Sequence, residues 1–231
     1  MGRAKKKRKL KLYKKRIKKS KQGKNVAFTL SNCPKKLKGI SYRYEHKINV
    51  HHCTFTDATF NNVKYRGGHI TNSSFNKAKL NNMEFTALNM KKNRFRETKF
   101  NNCVFFGCNL EGADFKNAIF KNTYFINCKL KDVKNFLVTE EIHIVTHYPE
   151  LSLSEPLEEI LKTMSLNPKF EKYHILTINR RKINQWMLSV LLSTFSESEL
   201  LKFFGKLLIS NKSQFYTIFD YEIALHKYYK K

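Results

Sequence analysis

Acidic residues are scarce in this sequence, which holds 18 Asp plus Glu against 45 Lys plus Arg and carries a formal net charge of +27. The imbalance excludes an acidic protein. Hydrophobic residues make up 41% and aromatic residues 13% of the chain, which is more than a fully disordered chain of this charge would hold. Part of the chain is therefore expected to fold around one or two cores.

Long apolar runs are missing too. None approaches the roughly 18 residues needed to span a bilayer, and the basic start is not followed by the apolar stretch of a secretion signal. The 5 cysteines are odd in number and contain no CxxC pair, which argues against a disulfide framework or a zinc ribbon. We therefore expect a soluble, cytoplasmic protein with reduced thiols.

Signatures of catalysis and cofactor binding are also missing. No nucleophile elbow, phosphate loop or dinucleotide fingerprint occurs in the sequence. His143 and His147, and His51 and His52 beside Cys53, lack the paired spacing of zinc motifs, so solvent-facing or structural histidines are the favoured interpretation. The sequence predicts a protein that is not an enzyme and that binds no metal, cofactor or small-molecule substrate.

A repeat of five residues fills the middle of the chain, without insertion, from Cys53 to Asp132. The third position of every block is large and apolar. These central residues are Phe55, Phe60, Tyr65, Ile70, Phe75, Leu80, Phe85, Met90, Phe95, Phe100, Phe105, Leu110, Phe115, Phe120, Phe125 and Leu130. At 41% apolar content, chance would produce this run with a probability on the order of one in a million, so the period reflects a structural unit.

Neither a helix nor a strand explains a period of five, because their side chains repeat every 3.6 and 2 residues. Two positions before each centre the residue is mostly small, and two positions after it the residue is mostly Asn, Asp or Gly, which tolerate left-handed dihedrals. The chain is therefore expected to turn a corner in every block, with Gly67 and Gly68 at corners. Met83, Leu88 and Asn93 replace the small residue in consecutive blocks, and we expect them to crowd or bulge the coil.

This small-x-large-x-turn pattern resembles the pentapeptide-repeat family. The resemblance implies an all-β solenoid, a right-handed quadrilateral β-helix in which four blocks form one square coil, so that residues 53–136 make four coils. Residues twenty apart would then stack in columns that begin at Phe55, Phe60, Tyr65 and Ile70. Some members of the family protect DNA gyrase or topoisomerase IV by imitating duplex DNA with a negative surface, whereas residues 53–132 hold 13 basic and 6 acidic side chains.

The repeat is flanked by two different segments. Residues 25–52 are predicted to cap the solenoid, with Ile48 and Val50 beginning a partial first coil. Residues 137–231 are predicted to form a small helical domain, which the resemblance implies as a dimerisation element. Its predicted helices run from Ser154 to about Leu166, from Lys182 to Phe195, from Ser196 to about Ser210, with a capping box of Ser196 and Glu199, and from Ser213 to Tyr229.

The first 24 residues form a basic arm without an acidic residue. Such a run repels itself and is expected to be disordered when free. It is interpreted as a phosphate-binding arm; the alternatives are a solvated tail and, because Leu10, Tyr13 and Ile17 would share one side of a helix, an anionic membrane surface. The candidate nucleic-acid contacts are Lys5, Lys6, Lys7, Arg8, Lys9, Lys11, Lys14, Lys15, Arg16, Lys18 and Lys19.

A second basic cluster lies inside the repeat. It consists of Lys91, Lys92, Arg94, Arg96 and Lys99, with Lys64, Arg66, Lys79, Lys116 and Lys121 expected on neighbouring corners and faces. The five residues at 91–99 are further candidate nucleic-acid contacts, and scattered solubilising charge explains the cluster as well as a binding face does. The sequence thus predicts a non-catalytic binding protein whose rod is a platform and whose arm engages nucleic acid or a nucleoprotein. The alternatives are a topoisomerase protection or immunity factor, and a scaffold that binds only protein.

Overall fold

The computed structural model describes residues 29–31, 36–179, 182–210 and 214–230. The predicted basic arm and Cys33 lie outside the described residues. The repeat and the segments on either side of it form a parallel seven-stranded sheet whose strands follow one another in chain order. These strands are β1 Thr29–Ser31, β2 Ser41–His51, β3 Thr59–Thr71, β4 Lys79–Asn89, β5 Lys99–Phe106, β6 Ile119–Ile126 and β7 Ile142–Val145.

Neighbouring strands of the repeat pair residues that are twenty positions apart. Phe60 pairs with Leu80, Leu80 with Phe100, and Phe100 with Phe120. Each position of a block therefore recurs four blocks later on the same side of the molecule. The chain winds as a parallel β-solenoid of about five turns, which confirms the predicted fold and makes it about one turn longer.

The additional turn precedes the predicted repeat. Strand β2 pairs with β3 from Ser41 onward, and Tyr42 and His52 have the positive φ of corner residues. Glu45 occupies a central position of this turn, so the pattern of large apolar central residues does not predict the turn. The predicted partial coil at Ile48 and Val50 is part of it, and both residues are buried.

Positive φ angles mark the corners of the solenoid. All sixteen residues two positions after a centre, from Asp57 to Asp132, have φ between 44° and 68°. Turn hydrogen bonds close successive corners, for example from the Ala58 N–H to the Phe55 carbonyl (3.1 Å). The predicted corners are therefore confirmed. Gly68 is not at a corner: its φ of 105° accompanies a close backbone approach, because a Cβ there would lie 2.0 Å from the Ile48 carbonyl oxygen.

The central side chains stack in the predicted columns. Phe95 lies between Phe75 and Phe115, with ring centroids 5.2 and 5.0 Å away and interplanar angles of 21° and 10°. Phe105 stacks at 4.8 Å on Phe125 in the third column. Burial of these rings is the main source of solenoid stability, since each large apolar side chain contributes about 1.5–3 kcal/mol.

Four faces surround these columns, and each is named here after its first central residue. The Phe55 face is opposite the Tyr65 face, and the Phe60 face is opposite the Ile70 face, because four blocks complete one coil. On every face the residues directly before and after the centre point outward. These outward positions, together with the corners, form the surface that a partner can contact.

The expected bulge at Met83, Leu88 and Asn93 does not occur. All three side chains are buried, and the ladders pair Val63 with Met83 and Met83 with Cys103 without a register shift. Asn93 fits because both polar atoms of its amide are hydrogen-bonded: Oδ1 accepts from the Ser73 N–H (2.9 Å), and Nδ2 donates to the Ile70 carbonyl (2.7 Å). The substituted side chains are therefore accommodated inside a regular coil.

Four of the sixteen repeat corners carry residues that do not favour a left-handed backbone, and exposed Ala87 is one of them, at φ 51°. Ala87→Gly is expected to raise the free energy of unfolding by about 0.5–1 kcal/mol, because the Cβ strain disappears. Urea denaturation measures the change. Ala78→Gly is the matched control: it removes a buried inward methyl and is expected to lower stability, so a loss in both variants would contradict the corner assignment.

The C-terminal part contains helices and one small hairpin. The elements are α1 Glu155–Leu166, α2 Pro168–Glu171, β8 Thr177–Asn179, β9 Lys182–Ile183, α3 Gln185–Leu192, α4 Glu197–Ile209 and α5 Ile218–Tyr229. The Ser196–Glu199 capping box is confirmed. Two predicted starts are wrong: residues 182–183 pair with β8, so that helix begins at Gln185, and the last helix begins at Ile218. No helix among the described residues is long and apolar enough to cross a membrane.

Candidate binding surface

The basic residues at 91–99 do not share one surface. Lys91 is half-buried on the Ile70 face, Lys92 is at the next corner, Arg94 and Arg96 are exposed on the Phe55 face, and Lys99 is exposed on the Phe60 face. Because the chain turns a corner every five residues, sequence neighbours are distributed over three faces. The binding surface must therefore be assembled from residues that are twenty positions apart.

Lys64 is not on the exposed surface where the sequence placed it. Its side chain is fully buried on the Tyr65 face, forms an ion pair with Glu84 and donates to the His174 carbonyl (3.0 Å). Glu84 also accepts from the Thr86 hydroxyl (3.1 Å) and from the backbone N–H of Ile218 (3.3 Å), the first residue of α5. Burial lowers the pKa of Lys64, and the charge of Glu84 opposes this effect.

The helical domain covers the Tyr65 face around this ion pair. Val104 and Ile126 are buried in the same apolar core as the helices, and Tyr44 packs edge-on against Tyr173 at 5.6 Å. Asn62 donates to Asp220 near the start of α5. Within the described part of the chain, the faces left open are those of Phe55, Phe60 and Ile70.

Exposed cations concentrate on two of the open faces, and we call this set the basic edge. It comprises the exposed basic residues of the Phe55 face, the Phe60 face and the corner between them. Its members are Lys36, Lys38, Lys77, Lys79, Arg94, Arg96, Lys99, Lys116, Lys121 and Lys134. Lys36 and Lys134 belong to the Phe55 face because their backbones form β-bridges with Thr54 and Asp114, respectively. The backbone of Lys38 accepts a hydrogen bond from Thr59 on the Phe60 face.

Three acidic residues lie within the basic edge, and each is engaged by a cation. Asp57 pairs with Lys36 (2.5 Å), Glu97 with Lys77 (3.8 Å) and Asp114 with Arg96 (2.6 Å). In the ranges that the structure describes, seven cations of the edge have no ion-pair partner. They are Lys38, Lys79, Arg94, Lys99, Lys116, Lys121 and Lys134.

Hydrogen bonds hold the Asp114 carboxylate in its charged form. Although burial opposes the effect, hydrogen bonds from Asn135 (2.8 Å) and Arg96 (2.6 Å) lower the pKa of Asp114. Asp114 is itself buried, so Arg96 is held against the Phe55 face. Glu140 and Glu141 follow at the C-terminal end of the Phe60 face, where Glu141 accepts from the Asn122 N–H (2.8 Å). These two acidic residues therefore mark the C-terminal end of the basic edge.

The Ile70 face is less basic than the edge. Glu111 lies between Lys91 (3.0 Å) and Lys129 (3.2 Å). Hydrogen bonds from these two lysines lower the pKa of Glu111, so the carboxylate offsets part of their charge. Lys131 is the remaining outward lysine of this face, and the positive charge of the solenoid is therefore asymmetric around its axis.

The family model for the pentapeptide repeat region matches residues 53–136. These residues form a pentapeptide-repeat solenoid. The crystal structure of a pentapeptide repeat protein, Rfr23, from the cyanobacterium Cyanothece 51142 is 11% identical with a TM-score of 0.37, over 46% of this chain and 87% of that one.

Two structures of QnrB1, a plasmid-mediated fluoroquinolone resistance protein, are also similar. Both are of trypsin-treated single-substitution variants. One is 14% identical (TM-score 0.18, 44% of this chain and 55% of that one), and the other is 10% identical (TM-score 0.17, 52% and 91%). A search among curated proteins gave no significant match. At these identities and TM-scores, no function is transferred to the pentapeptide-repeat solenoid.

The C-terminal end of the pentapeptide-repeat solenoid is closed by one ring. Phe136 lies 5.4 Å from Phe115, 5.8 Å from Phe120 and 5.0 Å from Phe125, measured between ring centroids. The last strand, β7, pairs with β6 at a spacing of nineteen residues, with Ile142 beside Thr123. The five-residue period therefore ends where this cap begins.

The thiols and histidines of the solenoid have structural surroundings. Cys108 and Cys128 are not joined, and each thiol donates to a carbonyl of the preceding coil, that of Phe85 (3.1 Å) and Phe105 (3.2 Å) respectively. Burial raises the pKa of Cys108 well above its usual range. His143 stacks on Tyr124 at 4.4 Å. Among the described residues no group of three His, Cys, Asp or Glu side chains is arranged to hold a metal ion.

Sequence reasoning missed four members of the basic edge. Lys77 lies inside the repeat, at a corner without a turn-forming residue. The other three, Lys36, Lys38 and Lys134, flank the predicted repeat. Lys134 is twenty residues after Asp114, so continuing the count by one coil would have found it. Lys36 and Lys38 belong to the first turn, where Lys36 pairs with Thr54 at a spacing of eighteen residues. Because the spacing is irregular there and Glu45 occupies a central position, the five-residue pattern cannot be recognised in the first turn.

Proposed function

We propose that this chain is a non-catalytic binding protein that engages nucleic acid or a nucleoprotein through its basic edge and its basic arm. The observation that carries the proposal is the basic edge: seven cations without an ion-pair partner among the described residues, on two adjacent faces of a rigid rod. Cations that neutralise phosphates release counterions and so provide affinity without sequence preference. The solenoid serves as the platform that fixes their positions.

The distribution of charge favours binding over general solubilisation. Charge that only keeps a protein soluble is not expected to cluster on two faces, whereas charge that forms a binding surface is. The Ile70 face offsets its lysines with Glu111, and the Tyr65 face is occupied by the helical domain. The arm has the same sign as the edge, so the two attract the same class of partner.

Protection of a topoisomerase by imitation of DNA does not suit this surface. A site that attracts phosphates repels a rod with exposed cations on two open faces. A role at a topoisomerase would therefore require contact with the DNA that the enzyme holds. Supercoiling assays with and without a quinolone separate that role from direct nucleic-acid binding.

The proposal predicts strongly salt-dependent binding. If about ten residues of the arm contact phosphates, the logarithm of the affinity falls with the logarithm of the salt concentration with a slope near −9. Deleting residues 1–24 should then remove most of the affinity and leave the shallower slope that the basic edge supplies. Fluorescence anisotropy with a labelled duplex between about 50 and 200 mM salt measures both quantities.

A full-length chain whose arm lysines and arginines are replaced by glutamine is the matched control, because it keeps the length and loses the charge. It should behave like the deletion. Binding that is insensitive to salt, or unchanged in both variants, would refute the role of the arm. Partners that remain on the protein after nuclease treatment of a cell extract would instead support a scaffold that binds only protein.

A further inference from the structure

We infer that the basic edge enters a groove of double-stranded DNA, with the cations of the Phe55 face on one phosphate strand and those of the Phe60 face on the other. This inference rests on the proposed function and names the form of nucleic acid and the mode of contact. It follows from the shape of the edge, from the width across it and from the side chains that are missing there.

The basic edge is convex and has cations on both sides of its crest. The crest is the corner column of Asp57, Lys77, Glu97 and Asn117, where every coil turns from the Phe55 face to the Phe60 face. Arg94, Lys116 and Lys134 lie on one side of the crest, and Lys79, Lys99 and Lys121 on the other. A convex ridge with two rows of cations is complementary to a groove bordered by two rows of phosphates.

The width of the ridge agrees with the major groove of B-form DNA. Arg96 and Lys99 flank the crest and are three residues apart, so their Cα atoms are within about 10 Å of each other. The major groove is about 12 Å wide and admits an α-helix or a two-stranded ribbon. The side chains of Arg94 and Lys99, which reach outward from the two faces, can therefore meet phosphates on the two strands.

The acidic residues on the crest do not cancel this fit. Asp57 and Glu97 are each held by a lysine of the edge, Lys36 and Lys77 respectively. Asn117 is neutral. The crest therefore has a net charge close to zero when it enters the groove. The cations without ion pairs lie on its two slopes, next to the phosphates.

The basic edge lacks what a single strand requires. Proteins that bind single strands stack the bases on aromatic rings. Over residues 54–121, all of which the structure describes, the outward positions of the two faces carry Thr, Ser, Asn, Asp, Lys, Arg and one Ile, and no aromatic residue. Such a surface recognises phosphates and not bases, and a single strand offers phosphates to only one of its two slopes.

The coil register makes the edge rigid before it binds. Backbone hydrogen bonds run between coils on both sides of the crest, from the Lys77 N–H to the Arg96 carbonyl (2.9 Å) and from the Lys99 N–H to the Ala78 carbonyl (2.9 Å). The cations are therefore attached to a frame that needs no rearrangement, which favours a partner of regular geometry. A B-form duplex is such a partner.

The test uses the full-length chain and three triple variants with the same change of charge. The first neutralises the Phe55 slope (Arg94→Gln, Lys116→Gln, Lys134→Gln), and the second neutralises the Phe60 slope (Lys79→Gln, Lys99→Gln, Lys121→Gln). The third, on the Ile70 face, is the matched control (Lys91→Gln, Lys129→Gln, Lys131→Gln). The probes are a mixed-sequence DNA duplex, one of its single strands, and an RNA duplex of the same length.

Each slope variant should lose three phosphate contacts on duplex DNA. The salt slope should become shallower by about 3 in both, and the affinity should fall on the order of tenfold or more, while the Ile70-face control changes neither. The unaltered chain should bind duplex DNA more tightly than the single strand or the RNA duplex. Equal thermal midpoints establish that the variants fold. Replacing the three lysines of the Phe60 slope by arginine should leave the salt dependence of binding unchanged.

The outcomes separate this inference from the proposed function. If the unaltered chain binds duplex DNA but the slope variants behave like the Ile70-face control, the groove contact is overturned while binding through the arm stands. Tighter binding of the single strand or of the RNA duplex overturns the assignment to B-form DNA. If the unaltered chain binds none of the three probes, the proposed function itself fails.

Discussion

Replacing Lys64 by methionine is expected to lower the free energy of unfolding by about 3–5 kcal/mol, because Glu84 is left charged and buried without its partner. Lys64 and Glu84 are both inaccessible to solvent at the junction of the solenoid and the helical domain. The hydrogen bonds from Thr86 and Ile218 remain, but they do not replace the positive charge. Urea denaturation of the full chain measures the loss.

The double variant Lys64→Met, Glu84→Leu tests the cause. With both charges removed and apolar side chains in their place, at least half of the loss should be recovered. The N–H of Ile218 then has no carboxylate acceptor, so recovery is expected to be incomplete. A single variant as stable as the original protein would contradict the burial of the pair, and a double variant as unstable as the single one would contradict the charge explanation.

Truncating Phe95 to alanine is expected to cost about 3–5 kcal/mol, as for other buried aromatic residues. The ring is fully buried and contacts Phe75, Phe115 and Phe100 at centroid distances of 5.2, 5.0 and 5.6 Å. It lies in the middle of its column, where a cavity cannot collapse without shifting both neighbouring coils. The change in denaturation midpoint at constant m-value measures the cost.

Phe55 in the same column provides the comparison. It is the first aromatic ring of the column, stacks on one other ring at 4.8 Å and is 8% exposed, so Phe55→Ala should cost clearly less than Phe95→Ala. Equal costs would mean that stacking from both sides adds nothing. A cost below about 1 kcal/mol at Phe95 would contradict the column as the source of stability.

The columns and corners could be predicted because each follows from local residue type. A large apolar centre such as Phe75 and a turn-forming residue such as Asn72 recur at fixed spacing, and twenty residues complete a coil. Lys77 and Ala87 are corners without a turn-forming residue, and they were placed by the period alone. Only the end of the first turn, at Ile48 and Val50, was predicted, because the central Glu45 is not apolar and the corner residue Tyr42 is not a turn former.

The surface could not be predicted in the same way. Outward positions carry no signal of what covers them: Lys64 and Lys79 are both outward lysines, yet the helical domain buries the first and leaves the second exposed. Long-range packing decides this difference. The cluster at 91–99 illustrates a second cause, since proximity along a chain that turns every five residues differs from proximity in space.

The ring of Phe136 also bears on how the ends of two rods can contact each other. A parallel ladder that stopped on bare backbone would be a template on which another rod could continue, and such end-to-end growth leads to fibres. At the C-terminal end the Phe136 side chain fills the axis, and β7 adds hydrogen bonds only along the Tyr65 side. We therefore expect the ring to oppose end-to-end stacking of two rods at this terminus.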